Sequence, residues 1–185
     1  MANAAFGDAV PTDAGGPEQV ADDILVRLFI ARRVATNADR AFARRAHHLA
    51  FRELVERQFG AWIEEQQGQF FESTWAAMPH EIILFRGEPC GYASVEDRPT
   101  DVHLGELVLA PHYQGKRIGT SVLRALIEHA RARRVPLHLG THLLNRAANL
   151  YRRVGFRQIG TTETHLLFEW SADDETSQGV SVALK

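Results

Sequence analysis

One stretch near the middle of the chain joins a strand to a helix through a short polar loop. The apolar run GELVLAP, residues 105–111, favours a strand. The loop HYQGKRIGT follows, with two glycines and two adjacent cations, and apolar residues then recur at helical spacing at Val122, Leu123, Leu126, Ile127 and Ala130. The helix is therefore predicted to begin near Gly119, so the loop ends at the positive end of a helix dipole.

A loop of this kind can hold a phosphate group. The unpaired N–H groups of a first helical turn can point at an anion, and the glycines at 115 and 119 let a ligand approach the main chain. The formal net charge of −2 provides no overall attraction for anions, so an anion site must be built locally. The loop lacks the GxxxxGK[ST] and GxGxxG patterns, which points to a phosphate ligand other than a nucleoside triphosphate or dinucleotide. An ordinary solvated turn remains the alternative on these residues alone.

The whole chain predicts an α/β fold. A strand is expected from Ile24, followed by two helical segments, an antiparallel meander of three strands, the helix after the loop, a strand, a short helix and a final strand at 162–170. The order βααβββαβαβ mixes antiparallel pairing with crossovers and predicts a mixed sheet flanked by helices. In the two early helices the bulky residues are expected to face the core: Phe42, Leu49, Leu54, Trp62, Phe70, Phe71 and Trp75.

The 185 residues fit one domain, predicted at 21–170. The composition predicts a disordered tail at residues 1–20 and a second tail at residues 171–185. No signal peptide and no run of 18 apolar residues is found, which predicts a cytoplasmic protein without a membrane partner. The lone Cys90 allows no internal disulfide and is predicted to be a buried structural thiol.

Two segments carry a resemblance to a known family. Residues 107–127, LVLAPHYQGKRIGTSVLRALI, resemble the acetyl-CoA binding motif of the GNAT acetyltransferases, with matches at Gln114, Ile118 and Gly119. Arg117 stands where the family usually has its first glycine, so its backbone must avoid a glycine-only conformation. The segment LNRAANLYRRVGFRQIG is similar to a second family motif, with matches at Asn145, Tyr151, Gly155 and Phe156. The likeness covers roughly residues 22–170, and the early helices and last strand resemble one bacterial subgroup.

The resemblance implies a mixed, centrally splayed GNAT-like sheet and an acetyl-CoA-dependent N-acetyltransferase. Backbone groups of Leu107, Val108 and Leu109 would hold the pantetheine arm of acetyl-CoA, and Asn145 would also contact the cosubstrate. The pyrophosphate would be wrapped by Gln114, Gly115, Lys116, Arg117, Ile118, Gly119 and Thr120. The acceptor is an amine that the sequence does not identify.

Two catalytic residues are expected. The resemblance makes Tyr151 the general acid that protonates the leaving thiolate, with a packing tyrosine as the alternative. Strand alternation puts Glu106 on the face opposite Leu107, which makes it the candidate base, with an exposed strand carboxylate as the alternative. His165 and His103 are further candidates. The histidines show no metal-ligand spacing such as HExxH, so no metal is predicted.

Two other functions stay open. A non-catalytic CoA-binding module or sensor would keep the loop without needing Tyr151 or Glu106. A nucleic-acid binder could use the arginines of residues 31–48, although the acidic balance favours a solvated helix face and no nucleic-acid partner. The arginines of the helix after the loop could reach the ribose phosphate or pair with the helix dipole: Arg124, Arg131, Arg133 and Arg134. A homodimer is compatible with the sequence.

Overall fold

The computed structural model describes residues 26–172. Both predicted tails, apart from Ser171 and Ala172, and the predicted strand start at Ile24 lie outside these residues. The described elements follow in this order: β1 (Ile30–Val34), α1 (Arg40–Phe59), α2 (Glu64–Ala77), β2 (His80–Phe85), β3 (Glu88–Asp97), β4 (Val102–Leu109), α3 (Ile118–Arg133), β5 (Leu137–His142), α4 (Ala147–Arg153), β6 (Arg157–Thr161) and β7 (His165–Trp170).

The seven described strands form one sheet in the order β1-β2-β3-β4-β5-β7-β6. All neighbours are antiparallel except β4 and β5, so the predicted α/β class and the meander β2-β3-β4 are confirmed. The predicted order omitted β6, a short edge strand whose side chains are mostly exposed and therefore show no apolar alternation. The first strand begins at Ile30, because Val26–Leu28 are helical.

The sheet splays between β4 and β5, as predicted. The two strands pair only from Val102 to Leu104, opposite Leu137–Leu139, and part beyond that point. The register of β3 and β4 also shifts here, because Leu104 opposes Val95 while Glu106 opposes Ser94. Gly105 is the extra residue of this β-bulge, which bends the strand at the place where the two strands separate.

Helices cover the sheet on both faces. On one face α3 buries its predicted apolar stripe against β4, β5 and β7, where Leu104, Leu139 and Phe168 belong to the same core. On the other face α1 and α2 pack over the meander in a second core, which contains Ala43, Ala46, Phe71, Ile82, Tyr92, Val108 and Ala110. The sheet thus separates two cores, and the splay leads from one side to the other.

The core face of α1 differs from the predicted one at Leu49, whereas Leu54 is buried and Phe42 packs against the second core, as predicted. Small side chains at Ala43 and Ala46 are buried there, while Leu49 is 66% exposed. Alanines let a helix approach the sheet closely, and Phe71 of α2 fills the remaining space. The prediction for α2 is likewise wrong at Phe70, which is 54% exposed and faces a cleft.

Candidate active site

The splay between β4 and β5 opens into a cleft of about 690 Å³. Its walls come from residues 105–109 of β4, the loop at 114–120, the end of β5, α4, and the facing sides of α1 and α2. Of the residues predicted to hold the pantetheine arm and the pyrophosphate, together with Asn145, all line this cleft except Lys116. The four arginines at positions 124–134 that could reach the ribose phosphate do not line it. His165 of β7 completes the lining, so the fold gathers residues from seven parts of the chain around one opening.

The backbone of β4 is open along the cleft. The Ala110 N–H donates to the Cys90 carbonyl at 2.9 Å, so by strand alternation Val108 also points its polar groups at β3. Leu107 and Leu109 then point theirs away from β3, into the splay. The Leu109 carbonyl already accepts a bond from Gln114 Nε2 at 3.0 Å. A ligand chain could pair with the remaining groups as an added strand, whereas the predicted role of the Val108 backbone does not fit this register.

The loop before α3 has the backbone shape of an anion cradle. Gly115 has φ +72° and Arg117 has φ +61° and ψ 2°, both left-handed. Arg117 thus occupies a region that favours glycine but is open to arginine, at a cost of about 1–2 kcal/mol. Within the described residues, no side chain caps the start of α3. The first N–H groups of this helix are therefore available to an anion at the cleft mouth.

Asn145 lies between β5 and α4 and helps to begin that helix. Its side-chain Oδ1 accepts a hydrogen bond from the Ala147 N–H at 2.9 Å, and its carbonyl accepts one from the Ala148 N–H at 3.2 Å. The side-chain oxygen is therefore engaged in the helix start. The amide nitrogen of Asn145, which takes no part in these two bonds, is the group that could make the predicted contact with the cosubstrate.

The bulge at Gly105 decides which way Glu106 faces. In an unbroken strand Glu106 would share the face of Leu104, beneath α3. The extra residue moves it to the opposite face, with Leu107 taking the position under α3, in agreement with the predicted orientation. A Cβ at 105 would lie 2.9 Å from Cε of Met78, so the end of that flexible side chain would have to shift to admit one.

Glu106 is a largely buried carboxylate at the bottom of the cleft. Its Oε2 accepts a hydrogen bond from the Tyr92 hydroxyl at 2.8 Å, and its Oε1 lies 3.8 Å from Nε2 of His47. Burial raises the pKa of Glu106, while the bond from Tyr92 acts in the opposite direction. The pKa of His47 is lowered to about 4 by burial and by the neighbouring His48 and His142, so His47 is uncharged at neutral pH.

Tyr151 lines the same cleft from α4. Its ring is buried beside Phe156 and Phe168, with centroids 6.0 and 5.7 Å away. Burial raises the pKa of Tyr151 to about 12, and the side chain of Thr141 acts weakly in the other direction. The residue is therefore a neutral phenol that can donate a hydrogen bond into the cleft.

The other candidates divide between the cleft and the rest of the molecule. His165 lines the cleft, whereas His103 does not and lies in the paired half of β4, opposite His138.

Several arginines are held by carboxylates of the protein. Arg133 is bound to Asp97 at 2.8 Å at the far end of α3, which supports a structural role. Arg33 pairs with Asp39 at 2.7 Å, and Arg40 pairs with Glu72. With Arg32, which lies 3.1 Å from Glu81, these pairs give a structural role to part of the basic segment at 31–48.

The Cys90 thiol is free and buried, as predicted, and burial raises its pKa to about 11. Among residues 26–172, no group of three or more His, Cys, Asp or Glu side chains is arranged to hold a metal ion. In the same part of the chain, no helix is both long and apolar enough to span a membrane.

Sequence reasoning missed three residues beside the candidate base and acid. Tyr92, His47 and Thr141 are all buried and lie next to Glu106 or Tyr151. His47 was detectable only as a polar residue within an otherwise apolar helix face, and Tyr92 as a cross-strand neighbour of β4. Gly105 carried a clearer signal, since an isolated glycine within a strand indicates a bulge.

A sequence model of the acetyltransferase (GNAT) family matches residues 42–156, which is more than half of the chain. The chain belongs to this family. The match confirms the enzyme class predicted from the two motifs, an acetyltransferase of the GNAT type, and the non-catalytic alternative is not favoured.

Individual relatives are more distant. N-acetylaspartate synthetase from Danio rerio is 31% identical over 90 residues, covering 46% of this chain and 32% of the relative. The chain thus spans about a third of that relative's length. Among solved structures, the PaiA N-acetyltransferase from Thermoplasma acidophilum in complex with coenzyme A has a TM-score of 0.64 at 15% identity, covering 77% of this chain and 98% of its own.

A second solved structure, aminoglycoside acetyltransferase AAC(6')-Ib in complex with coenzyme A, has a TM-score of 0.57 at 22% identity. It covers 81% of this chain and 99% of its own. At these identities the structures show a shared fold and leave the acceptor open. The resemblance to one bacterial subgroup stays a prediction.

Proposed function

We propose that the protein transfers an acetyl group from acetyl-CoA to a primary amine by direct attack on the thioester, at the splayed end of β4 and β5. One observation carries this proposal. A largely buried carboxylate, Glu106, and a buried phenol, Tyr151, line the same cleft as an open strand edge. Transfer to an amine needs a base, a hydrogen-bond donor for the leaving sulfur and a place to hold the thioester.

The open edge and the loop would hold the cosubstrate. Polar backbone groups of Leu107 and Leu109 would pair with the pantetheine arm, and the N–H groups at the start of α3 would bind the pyrophosphate. Lys116 and Arg117 add positive charge beside those N–H groups. A β4 N–H that points into the splay would also stabilise the negative charge that develops on the thioester oxygen.

Glu106 would remove a proton from the attacking amine. An alkylammonium must become neutral before its nitrogen can form the C–N bond, and the raised pKa of Glu106 makes it a stronger base than an exposed glutamate. Tyr92 fixes one carboxylate oxygen, so the other oxygen faces the neutral His47 and the cleft.

Tyr151 would act on the leaving group. As the C–S bond breaks, negative charge develops on sulfur, and the phenol can donate a hydrogen bond to it. A thiol ionises near pH 8.5, so complete transfer from a phenol with a pKa of about 12 is uphill. The main contribution of this group is therefore stabilisation of the charge in the transition state.

The relatives named above differ in acceptor, since their names point to aspartate in one case and aminoglycosides in another. This variety supports an amine acceptor in general and no particular one.

We further propose that residues 21–170 act as a single catalytic domain.

The proposal is tested by thiol release from acetyl-CoA with a panel of amines, together with intact-mass analysis of the protein. We expect release that requires an amine, formation of the N-acetyl product, and no acetylated protein when the amine is omitted. Release from an acetylated protein intermediate would contradict direct attack. Absence of amine-dependent release with every amine would contradict the function.

A further inference from the structure

Six aromatic rings line up along the side of the cleft that α1, α2, β5 and β7 form. The ring of His47 lies 6.2 Å from that of Phe70 and 4.7 Å from that of Phe51. The ring of His142 lies 6.1 Å from Phe51, 5.8 Å from Phe59 and 4.3 Å from His165. We call these six residues the aromatic wall, and all of them except Phe59 line the cleft.

Part of this wall is left uncovered by the fold. Phe70, which lines the cleft, is 54% exposed, and Phe59, which lies outside the lining beside His142, is 52% exposed. Exposed aromatic rings next to a cleft are typical of a surface that a ligand covers. The neighbouring Leu144, which is also exposed and lines the cleft, extends the apolar surface toward α4.

The histidines of the wall behave as uncharged rings. Burial lowers the pKa of His47, His142 and His165 in each case. Hydrogen bonds hold two of them, because Gln58 Nε2 lies 3.4 Å from Nδ1 of His142 and Oγ1 of Thr164 lies 2.8 Å from Nδ1 of His165. The wall is thus a neutral and fixed surface rather than a charged one.

The wall leads to the candidate base. His47 is its innermost ring, and its Nε2 lies 3.8 Å from Oε1 of Glu106. A ligand that rests on the rings and continues past His47 therefore reaches a carboxylate. Because only 3.8 Å separates His47 from the Glu106 carboxylate, a short alkyl chain suffices to carry an amine from the innermost ring to that carboxylate.

The charge of the cleft argues against a ligand with several amines. Its lining includes two carboxylates, Glu53 and Glu106, and the Glu53 side chain is 81% exposed. Four arginines also line the cleft: Arg57, Arg117, Arg146 and Arg153. Arg117 belongs to the proposed cosubstrate loop, and Arg57 pairs with Glu53 at 4.0 Å. Among the lining residues, Glu106 is therefore the carboxylate left for an amine, and a second amine would find no unpaired carboxylate there.

We propose that the acceptor is an arylalkylamine, a single primary amine joined through a short alkyl chain to an aromatic ring. The ring packs on the aromatic wall, and the amine reaches Glu106. This inference rests on the proposed function for the role of Glu106, and it adds the chemical class of the acceptor.

Phenethylamine is the probe for this inference. Its binding to the full-length protein saturated with CoA is measured by calorimetry, alongside spermidine, kanamycin and aspartate, and the same four amines are assayed with acetyl-CoA for thiol release. We expect phenethylamine to bind at least tenfold more tightly than the other three. The variant Phe70→Ala, at an exposed position, should weaken phenethylamine binding several-fold, since an aromatic pair contributes about 0.5–1.5 kcal/mol. Phe29→Ala, a similarly exposed phenylalanine outside the cleft, should leave it unchanged.

The outcomes separate the inference from the proposed function. Turnover of spermidine, kanamycin or aspartate, without binding or turnover of phenethylamine, overturns the inference and leaves the acetyltransferase function intact. Binding of phenethylamine that depends on Phe70, with no thiol release from any amine, supports the ligand class and contradicts the function. Binding that is equal in the Phe70 and Phe29 variants shows that the wall does not hold the ring, and this also overturns the inference.

Discussion

The two ends of the β4–β5 pair are built in opposite ways. At the paired end the Val102 N–H donates to the Pro136 carbonyl at 2.9 Å, and His138 lies between two carboxylates, 3.1 Å from Asp101 and 2.9 Å from Glu169. At the splayed end the strands share no backbone pairing, and a carboxylate with a raised pKa faces a cleft.

This difference shows which end of the strand pair stabilises the fold and which end leaves polar groups for a ligand. At the paired end, backbone and charged groups find partners within the protein. At the splayed end, the open backbone edge and the second oxygen of a poorly solvated acid would gain further partners when a substrate is bound. Perturbed acids of this kind concentrate at functional sites, so changes at the two ends should have different consequences.

The largest effect is expected at the splayed end from Tyr151→Phe. Removing the hydroxyl keeps the ring and its packing but removes the hydrogen bond to the leaving sulfur, so kcat should fall by roughly 10²–10⁴-fold. Acetyl-CoA affinity should stay near its original value. Steady-state kinetics and calorimetry check the two quantities.

Tyr113→Phe is the matched control, because Tyr113 does not line the cleft. It should turn over at the original rate. Equal activity of the Tyr151 and Tyr113 variants, measured where chemistry limits the rate, would remove Tyr151 from the mechanism.

Glu106→Gln should lower turnover while raising the stability of the folded protein. Without the base, kcat/KM should fall by about 10²-fold, mostly on the acidic side of the pH profile, where the amine is protonated. Because the folded-state pKa of Glu106 is raised, its ionisation costs stability as pH rises through that pKa. The neutral variant should therefore unfold at a higher temperature at pH 7. The exposed Glu88→Gln should change neither property, and a pH profile of the Glu106 variant that overlays the original would contradict the role.

The cosubstrate loop is tested by Gly119→Glu. A Cβ at 119 would meet only Leu150 and Leu109 side chains at 3.5 and 3.7 Å, which is ordinary contact, so Gly119→Ala is a tolerated control. A glutamate adds negative charge where the pyrophosphate is expected, and acetyl-CoA affinity should fall by about 10-fold or more. Calorimetry that gives the same Kd for the alanine and glutamate variants would contradict this placement.

The smallest effect is expected at the paired end, from His138→Gln. Burial lowers the pKa of His138, but hydrogen bonds and charge from Asp101 and Glu169 outweigh it, so the pKa is raised overall. The stabilisation is therefore complete below the unfolded pKa near 6.5 and is lost as pH rises through the folded value. The variant should lose about 1 kcal/mol of unfolding free energy at pH 6 and less at pH 9, with unchanged turnover. An equal loss at both values would show that the pairing does not depend on charge.

Local sequence signals predicted the parts of this site that lie within one segment. The apolar stripe of α3 and the glycines of the loop placed a helix start at residues 118–120, as observed. Glu106 was placed on the correct face relative to Leu107. The bulge that makes this possible was not inferred, because strand alternation describes neighbouring residues and does not reveal the change of face between Leu104 and Leu107.

Features built from distant segments could not be predicted. The aromatic wall joins rings from α1, α2, β5 and β7, and only the packing of these elements brings them together. Leu49 and Phe70 were assigned to the core because bulky residues favour burial, whereas Ala43 and Ala46 occupy the contact between α1 and the sheet. The polar edge strand β6 carries no apolar alternation from which it could be inferred.

The central claim is that the splayed edge of β4 binds acetyl-CoA as an added strand would. Amide hydrogen exchange, followed by NMR with and without saturating CoA, measures this directly, and Val108 serves as the internal reference because it points to β3 in both states. We predict that exchange at Leu107 and Leu109 slows at least tenfold more than at Val108 when CoA binds. If Leu107 and Leu109 slow no more than Val108, the edge does not hold the cosubstrate and the account is wrong.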